Sequence, residues 1–456
     1  MDKSEQPEEI TALKEKADAG DVIAQFDLGQ KYRLGQGVKR NNIEAFHWYN
    51  KSAEQGDSRS QNAIGVMYKL GLGVKKDYEQ ALIWYQKAAT QGNPQAQFNL
   101  GLMHLNGQGV DKNYSHAKEL FHQAAASTDS DLRFKAIEYQ DRAARYLISP
   151  EITEIRKKIL RKLKVDILTT PTMTHYTSLV VGSALLLDKS PLRLGHINSL
   201  NDPNEGKLLW RYLGYAPVER NPVFVGCFLP DDDSLNMWRF YSKDHQNDDA
   251  CGCAITFDAD NFFDFNLLKE LPTNEHDNED NTALHSTGKI PQESLEFYRI
   301  IYVKGDMEIH GDDKTNSLRK AFKELRDEIK KYITHSQDND KFQNLSRLLG
   351  PLPYLLKDAD YEAEKEHRII VSHLEYGAKE IQSQAPNLED HISPRLYLEL
   401  YRTNHLDPVK HVTLGPKAPH QEMMIPYRHH KLMSDFADQL KPKKDFYIRA
   451  SKCAYQ

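Results

Sequence analysis

Apolar positions in the first third of the chain follow two nested periods. Within short segments they recur at i, i+3 and i+4, which marks one buried face of an amphipathic helix. Whole segments then recur every 36 residues. Gly29, Gly65 and Gly101 keep that step, as do Ala17, Ala53, Ala89 and Ala125, and Gly35, Gly71 and Gly107. Self-similarity at such a period predicts stacked helical pairs that bury their apolar faces only against neighbours. In the first full unit a helix is predicted over Val22 to Leu34 and a Gly-x-Gly-Val loop follows at Gly35 to Val38. A second helix is predicted from Ile43 to Gln55. The second helix carries Ala45, Trp48, Tyr49 and Ala53, repeated as Ala81, Trp84, Tyr85 and Ala89, then as Ala117, Leu120, Phe121 and Ala125. Gly29 sits inside a helix, where it costs about 1 kcal/mol relative to Ala, so its recurrence predicts a close approach of two helices. The loop glycines fit backbone with positive φ at a helix end.

The repeat pattern ends near residue 127. Residues 128–165 read as a helical connector. Asp129 to Leu147 is helical in pattern, and Ser149-Pro150-Glu151 opens a fresh helix with Ile152, Ile155, Ile159 and Leu163 on one face. From 166 to 456 short β-rich runs appear at Val223–Phe228, Ala254–Phe257, Phe297–Val303, His367–Val371 and His411–Leu414. Helical patterns at Ser317–Ile333 and Phe342–Leu356 lie between them. Strands and helices mix without regular alternation, which predicts an α+β domain. The acidic, Asn-rich segment Asn274–Ser286 reads as a loop. The predicted organisation is therefore multidomain: an all-α repeat solenoid over 8–127, the connector, and an α+β domain over 166–456.

Composition narrows the chemistry. The net charge of −6 argues against a general nucleic-acid binder, which carries a basic footprint. The four cysteines, Cys227, Cys251, Cys253 and Cys453, form neither a disulfide framework nor a zinc pattern, so no metal is expected. The start, Met1 to Glu5, is acidic, and no signal peptide or membrane-spanning run is visible. A cytoplasmic setting is the expectation, compatible with delivery into a foreign cytosol without a cleaved signal.

The A-x-x-x-L-G, G-x-G-V and A-x-x-W-Y motifs resemble Sel1-like repeats, relatives of tetratricopeptide repeats. That resemblance implies a surface that docks a protein partner. A groove along the first helices of each pair would display Gln25, Gln30 and Arg33. In the second domain the ordered motifs are Thr174-His175-Tyr176-Thr177, then Asn201-Asp202-Pro203-Asn204-Glu205, then Cys227-Phe228 with Met237-Trp238 and Tyr241. Lys357, Glu364-Lys365-Glu366-His367-Arg368 and Leu414-Gly415-Pro416-Lys417 complete the series. Together they resemble a widespread bacterial family without an assigned function. The chain departs from that pattern at Leu229, where Ser is usual, and at His367, where Tyr is usual.

On an extended strand Glu364, Glu366 and Arg368 share a face. An E-x-E strand preceded by a strand His resembles the ADP-ribosyltransferase arrangement. The resemblance implies NAD as co-substrate. It gives His175 the NAD ribose, and Tyr176, Trp238 or Tyr241 the nicotinamide ring. Glu366 becomes the stabiliser of an oxocarbenium-like transition state, Glu364 the group that orients or deprotonates the acceptor, and Lys357 a phosphate contact. Arg368, Asn201 and Asp202 complete the candidate set. Each has a structural alternative: a satisfied His175–Tyr176 pair, a turn at Asn201-Asp202-Pro203, a core Trp238, or a surface ion-pair ladder at Glu364, Glu366 and Arg368. The implied whole is a bacterial effector, toxin or defence factor in which the solenoid recruits the protein that the second domain modifies. The competing readings are a non-enzymatic adaptor and a different nucleotide- or nucleic-acid-directed enzyme using the same acids.

Overall fold

The computed structural model describes residues 8–188, 190–199, 204–218, 221–234, 237–238, 250–260, 262, 295–305, 307–310, 315–385, 394–400, 409–437 and 446–453. The chain divides into two compact units, with the break between Ile148 and Ser149. The candidates Asn201, Asp202 and Tyr241, and the loop Asn274–Ser286, lie outside the described residues.

In the first unit, helices α1 (Glu8–Asp18), α2 (Val22–Leu34), α3 (Asn42–Glu54), α4 (Ser58–Leu70), α5 (Tyr78–Thr90), α6 (Pro94–Asn106), α7 (Tyr114–Ala124) and α8 (Ser130–Ile148) follow one another. The repeat fixes their ends chemically. Asp21, Asp57 and Asn93 cap α2, α4 and α6 by accepting from the backbone N–H of Ala24, Ser60 and Ala96. Gly35, Gly71 and Gly107 end the same helices with left-handed backbone. The mid-helix glycines do what their recurrence predicts. A Cβ on Gly29 would lie 2.7 Å from the Tyr49 ring, one on Gly65 2.6 Å from Tyr85, and one on Gly101 2.8 Å from Phe121. Each glycine thus seats the aromatic of its own repeat, and Tyr49, Tyr85 and Phe121 are fully buried. Leu120 and Phe121 of the third repeat are buried too, and Phe121 packs with Leu132, Ala136, Tyr139 and Ala143 of α8. The predicted connector therefore divides: its first helix closes the solenoid's apolar end, while its second belongs to the other unit.

The second unit opens with α9 (Pro150–Leu163), capped by Ser149. Three sheets follow. The first orders β1 (Thr172–Thr177), β4 (Cys253–Asp258), β12 (Val409–Leu414) and β13 (Tyr447–Ala450). The second orders β10 (Ile381–Gln384), β11 (Arg395–Leu400), β2 (Leu192–His196), β3 (Phe224–Phe228), β9 (His367–Val371) and β5 (Tyr298–Arg299). The third orders β7 (Glu308–His310), β6 (Ile301–Lys304) and β8 (Leu356–Asp358). Helices α10 (Leu179–Leu186), α11 (Leu208–Leu213), α12 (Thr315–His335), α13 (Lys341–Leu349) and α14 (Gln421–Ala437) accompany them.

Two predicted runs are broken. Phe297–Val303 splits at Ile300, whose N–H donates to the Glu366 carbonyl at 3.0 Å, so the chain passes from one sheet to another there. Phe342–Leu356 ends as a helix at Leu349. Gly350 adopts φ 54°, and a Cβ there would press on the Arg156 guanidinium at 3.1 Å. The residues beyond form a 3₁₀ turn and β8. The first two sheets meet where Thr174 and Leu229 exchange backbone hydrogen bonds at 2.8 and 2.9 Å.

Candidate functional site

That junction is where candidate side chains collect. Antiparallel pairing sets Cys227 of β3 opposite Arg368 of β9. Opposed residues share a sheet face, and Glu366, two residues before Arg368, falls on it as well. From the neighbouring sheet, β1 brings His175 and Tyr176. Together His175, Tyr176, Cys227, Leu229, Glu364 and Glu366 line one half-open hollow of about 40 Å³. That is well below the usual size of a pocket that encloses a whole ligand.

The E-x-E motif is not strand. Glu364 ends a 3₁₀ turn (Ala359–Glu364), Lys365 follows with positive φ of 49°, and β9 begins only at His367. The two carboxylates converge nonetheless, because Lys357 of β8 draws them together. Its Nζ donates to Glu364 Oε2 at 2.6 Å and to Glu366 Oε2 at 3.2 Å. Arg368 donates to both oxygens of Glu366, at 2.7 and 3.0 Å, to the carboxylate of Glu205, and to the Tyr354 carbonyl at 2.9 Å. Glu366, Arg368 and Lys357 are all buried, so the cluster is no surface ladder.

Burial alone would raise the carboxyl pKa of Glu366, but Arg368 and Lys357 overcome it and hold it at about 2. The same burial would lower the Lys357 ammonium pKa, and the facing carboxylates of Glu366 and Glu364 carry it upward instead. For Glu205, burial wins over Arg368 and the carboxyl moves up. Burial and Glu366 together push the Cys227 thiol far up, so it stays protonated. Burial lowers His175, partly offset by its backbone partner. His175 Nδ1 lies 3.2 Å from the Cys227 carbonyl, which can only accept, so Nδ1 carries the proton and Nε2 is the acceptor.

The remaining candidates build the wall or the ion cluster. Tyr176 spans the wall: its hydroxyl accepts from Ser234 N–H at 3.0 Å and donates to the Asp231 carbonyl at 3.1 Å. Trp238 is fully buried behind it, edge-on to the Tyr176 ring at 4.8 Å, with Nε1 donating to Asp233 at 2.9 Å. It packs the wall and does not line the hollow. Lys357 points between two carboxylates and is committed to them, which places it as their counterion and not as a phosphate contact.

Three consecutive segments, 22–57, 58–93 and 94–129, match the family model described as Sel1 repeat. The chain belongs to the Sel1 repeat family. A second model, described as protein of unknown function (DUF2971), matches residues 237–369. It takes in Lys357, Glu364, Glu366 and Arg368 and leaves His175, Tyr176 and Glu205 outside. Among solved structures, a Sel1 repeat protein from Oxalobacter formigenes is 40% identical over 28% of this chain and 96% of its own, with a TM-score of 0.26. The protein c5321, a protective antigen present in uropathogenic Escherichia coli strains, is 30% identical over 34% of this chain and 36% of its own, with a TM-score of 0.27. Helicobacter pylori cysteine rich protein B is 25% identical over 27% of this chain and 93% of its own, with a TM-score of 0.23. No curated protein matches the chain. Among the described residues no helix is long and apolar enough to cross a membrane.

Within the Sel1 array, Gln25, Gln30 and Arg33 are buried and do not form a display surface. Gln25 Nε2 donates to the Ala17 carbonyl at 3.0 Å and its Oε1 accepts from Gln55 at 2.8 Å. Gln61 repeats both bonds one unit on, to the Ala53 carbonyl and from Gln91. These amides tie one Sel1 unit to the next.

Sequence reasoning missed Glu205. It reads as part of a turn, and its turn chemistry is real: Gly206 has φ 75°, and a Cβ there would lie 2.5 Å from the Tyr354 ring. The signal available was the odd placement of an acid beside a glycine that must approach closely, which aims that acid at Arg368.

Proposed function

We propose that the C-terminal domain transfers ADP-ribose from NAD to a macromolecule, and that the Sel1 array recruits the protein on or near which it acts. The observation that carries this reading is the convergence of His175, Tyr176, Glu364 and Glu366 on one hollow. A neutral His175 offers Nε2 as an acceptor for a ribose hydroxyl. Tyr176 adds to the wall of the hollow. Lys357 and Arg368 gather the carboxyls of Glu364, Glu366 and Glu205 at one wall of the hollow. When the glycosidic bond breaks and nicotinamide leaves with the bonding pair, positive charge grows on the ribose. A fixed, ionised carboxylate placed beforehand stabilises it. Glu364 then takes the proton of the acceptor as it attacks. Such a pairing of recruitment and modification suits a bacterial effector, toxin or defence factor.

One observation favours a second reading, a non-enzymatic adaptor whose C-terminal domain only binds a ligand. Both oxygens of Glu366 are already held by Arg368 and Lys357. A single experiment separates the two. The full-length protein is incubated with labelled NAD and a bacterial or host-cell lysate, and free nicotinamide and labelled macromolecule are measured. The transferase reading expects both products, with loss in Glu364→Gln and His175→Ala. NAD left intact under every lysate condition would establish the adaptor.

A further inference from the structure

Arg428 of α14 is 5% exposed. Its Nη2 donates to Ser183 Oγ on α10 at 2.7 Å, and that hydroxyl donates onward to the Leu179 carbonyl at 2.7 Å. Nε and Nη1 are buried with no hydrogen-bond partner. Arg368 is as deeply buried but meets two carboxylates and a carbonyl. A guanidinium cannot shed its charge by losing a proton, and an uncompensated buried charge is strongly unfavourable. Arg428 therefore has the chemistry of a half-built anion site. On the same two helices Val180, Val181, Met423 and Tyr427 are exposed. The end of β1 links the hollow to α10 along the chain. From His175 to Ser178, which caps α10, the extended chain covers about 10 Å.

We propose that Arg428 and Ser183 form a subsite for a phosphate or diphosphate group, the anionic segment of the nucleotide whose ribose end occupies the hollow. This deepens the reading given above and rests on it for the identity of the nucleotide, but the anion site can be tested without any transfer reaction. Inorganic pyrophosphate, ADP and adenosine are each titrated into the full-length protein, by calorimetry and by hydrogen exchange of the peptides 179–186 and 421–431. Pyrophosphate and ADP should protect both peptides and adenosine should not. Tighter binding of ADP assigns the anion to a nucleotide, whereas equal binding of pyrophosphate assigns it to free phosphate species. Arg428→Met should weaken both anions at least tenfold, Ser183→Ala a few-fold, and Arg428→Lys less than Arg428→Met. Without anion, Arg428→Met should keep or raise the urea midpoint, because an unpaired charge has been removed. A lowered midpoint would mark Arg428 as a brace to α10 and overturn the proposal. So would protection by adenosine alone, wild-type pyrophosphate binding in Arg428→Met, or no protection by either anion. Pyrophosphate binding without nicotinamide release would keep the subsite and remove the transferase. Release with no pyrophosphate binding would do the reverse.

Discussion

Glu366→Gln tests the buried ion cluster more directly than any other change. The substitution keeps the shape of the side chain and removes its charge, leaving Lys357 and Arg368 with only Glu364 and Glu205 between them. The carboxyl moves from 4.5 to about 2 on folding, with burial opposing and Arg368 and Lys357 prevailing. That difference corresponds to about 3 kcal/mol at about 1.36 kcal/mol per unit. Breaking one side of a buried pair costs about 3–5 kcal/mol in comparable cases, so two routes agree on the size. The sign follows from linkage. A depressed carboxyl stabilises the folded state fully above its unfolded value near 4.5, and the contribution is lost as pH falls toward 2. The two units need not unfold together, so a global melt is the wrong assay. Amide hydrogen exchange of peptides covering β3 and β9 reads the opening of this sheet alone. At neutral pH the variant should lose protection by about two orders of magnitude. By pH 3.5 the gap to wild type should narrow by roughly 1.4 kcal/mol. Equal protection in the two proteins would refute the reasoning, as would a loss that does not change with pH. This result also governs the activity test, because a Glu366 variant that loosens β9 cannot by itself assign a chemical role to its carboxylate.

Gly65→Ala should destabilise the Sel1 array. Ala gains about 1 kcal/mol of helix propensity, but its Cβ would sit 2.6 Å from the buried Tyr85 ring, and overpacking costs about 1–3 kcal/mol. A net loss of about 1 kcal/mol should lower the helical melting transition by about 4 °C, and a raised transition would count against the close approach. His367→Tyr should flatten the acid limb of stability in the second unit. Burial lowers His367 to about 4 from 6.5, with Glu366 opposing and Arg299 assisting. A neutral buried base stabilises the fold above pH 6.5 and loses that contribution as pH falls toward 4, by up to about 3 kcal/mol. Urea midpoints of the sheet signal at pH 7 and pH 4.5 should converge in the variant, and an unchanged slope would contradict this. Gly206→Ala should disturb the same cluster from a distance, through φ 75° and the Tyr354 ring at 2.5 Å. Loss of β9 protection in that variant, comparable to that in Glu205→Gln, is the expected outcome.

The solenoid is legible in the sequence because each of its interactions is local and repeated. Gly65 seats Tyr85 twenty residues away, and the same bond pattern returns at each step, so spacing alone exposes it. Even there the polarity of Gln25, Gln30 and Arg33 misleads, because a buried amide that bonds the next unit looks like a surface one on paper. In the second domain the strands at Phe224–Phe228 and His367–Val371 declare themselves by β-branched and aromatic content. Their pairing does not, since 140 residues lie between Cys227 and its partner opposite, Arg368, and nothing local encodes that register. Glu364 and Glu366 meet for a reason that strand alternation does not supply. Lys365 turns with positive φ, and a lysine from a third sheet bonds to both acids.

The charge of the site bears on what can occupy it. A hollow with carboxylates on one wall and, among its described lining residues, no lysine or arginine would repel the phosphates of a dinucleotide if they lay there. Lys357, the cation that sequence reasoning assigned to a phosphate, is spent on Glu364 and Glu366. Under the proposed function the uncharged ribose and the cationic nicotinamide ring would face that wall, and the anionic segment would lie toward positive charge. Along β1 the chain leads from His175 to the cap of α10 and so to Arg428, whose guanidinium has two buried N–H edges without a partner. The two halves of the proposal thus constrain each other: an anion that bound in the hollow itself, with Arg428→Met indifferent to it, would place the phosphates against the carboxylates and break the electrostatic case for the ribose at His175.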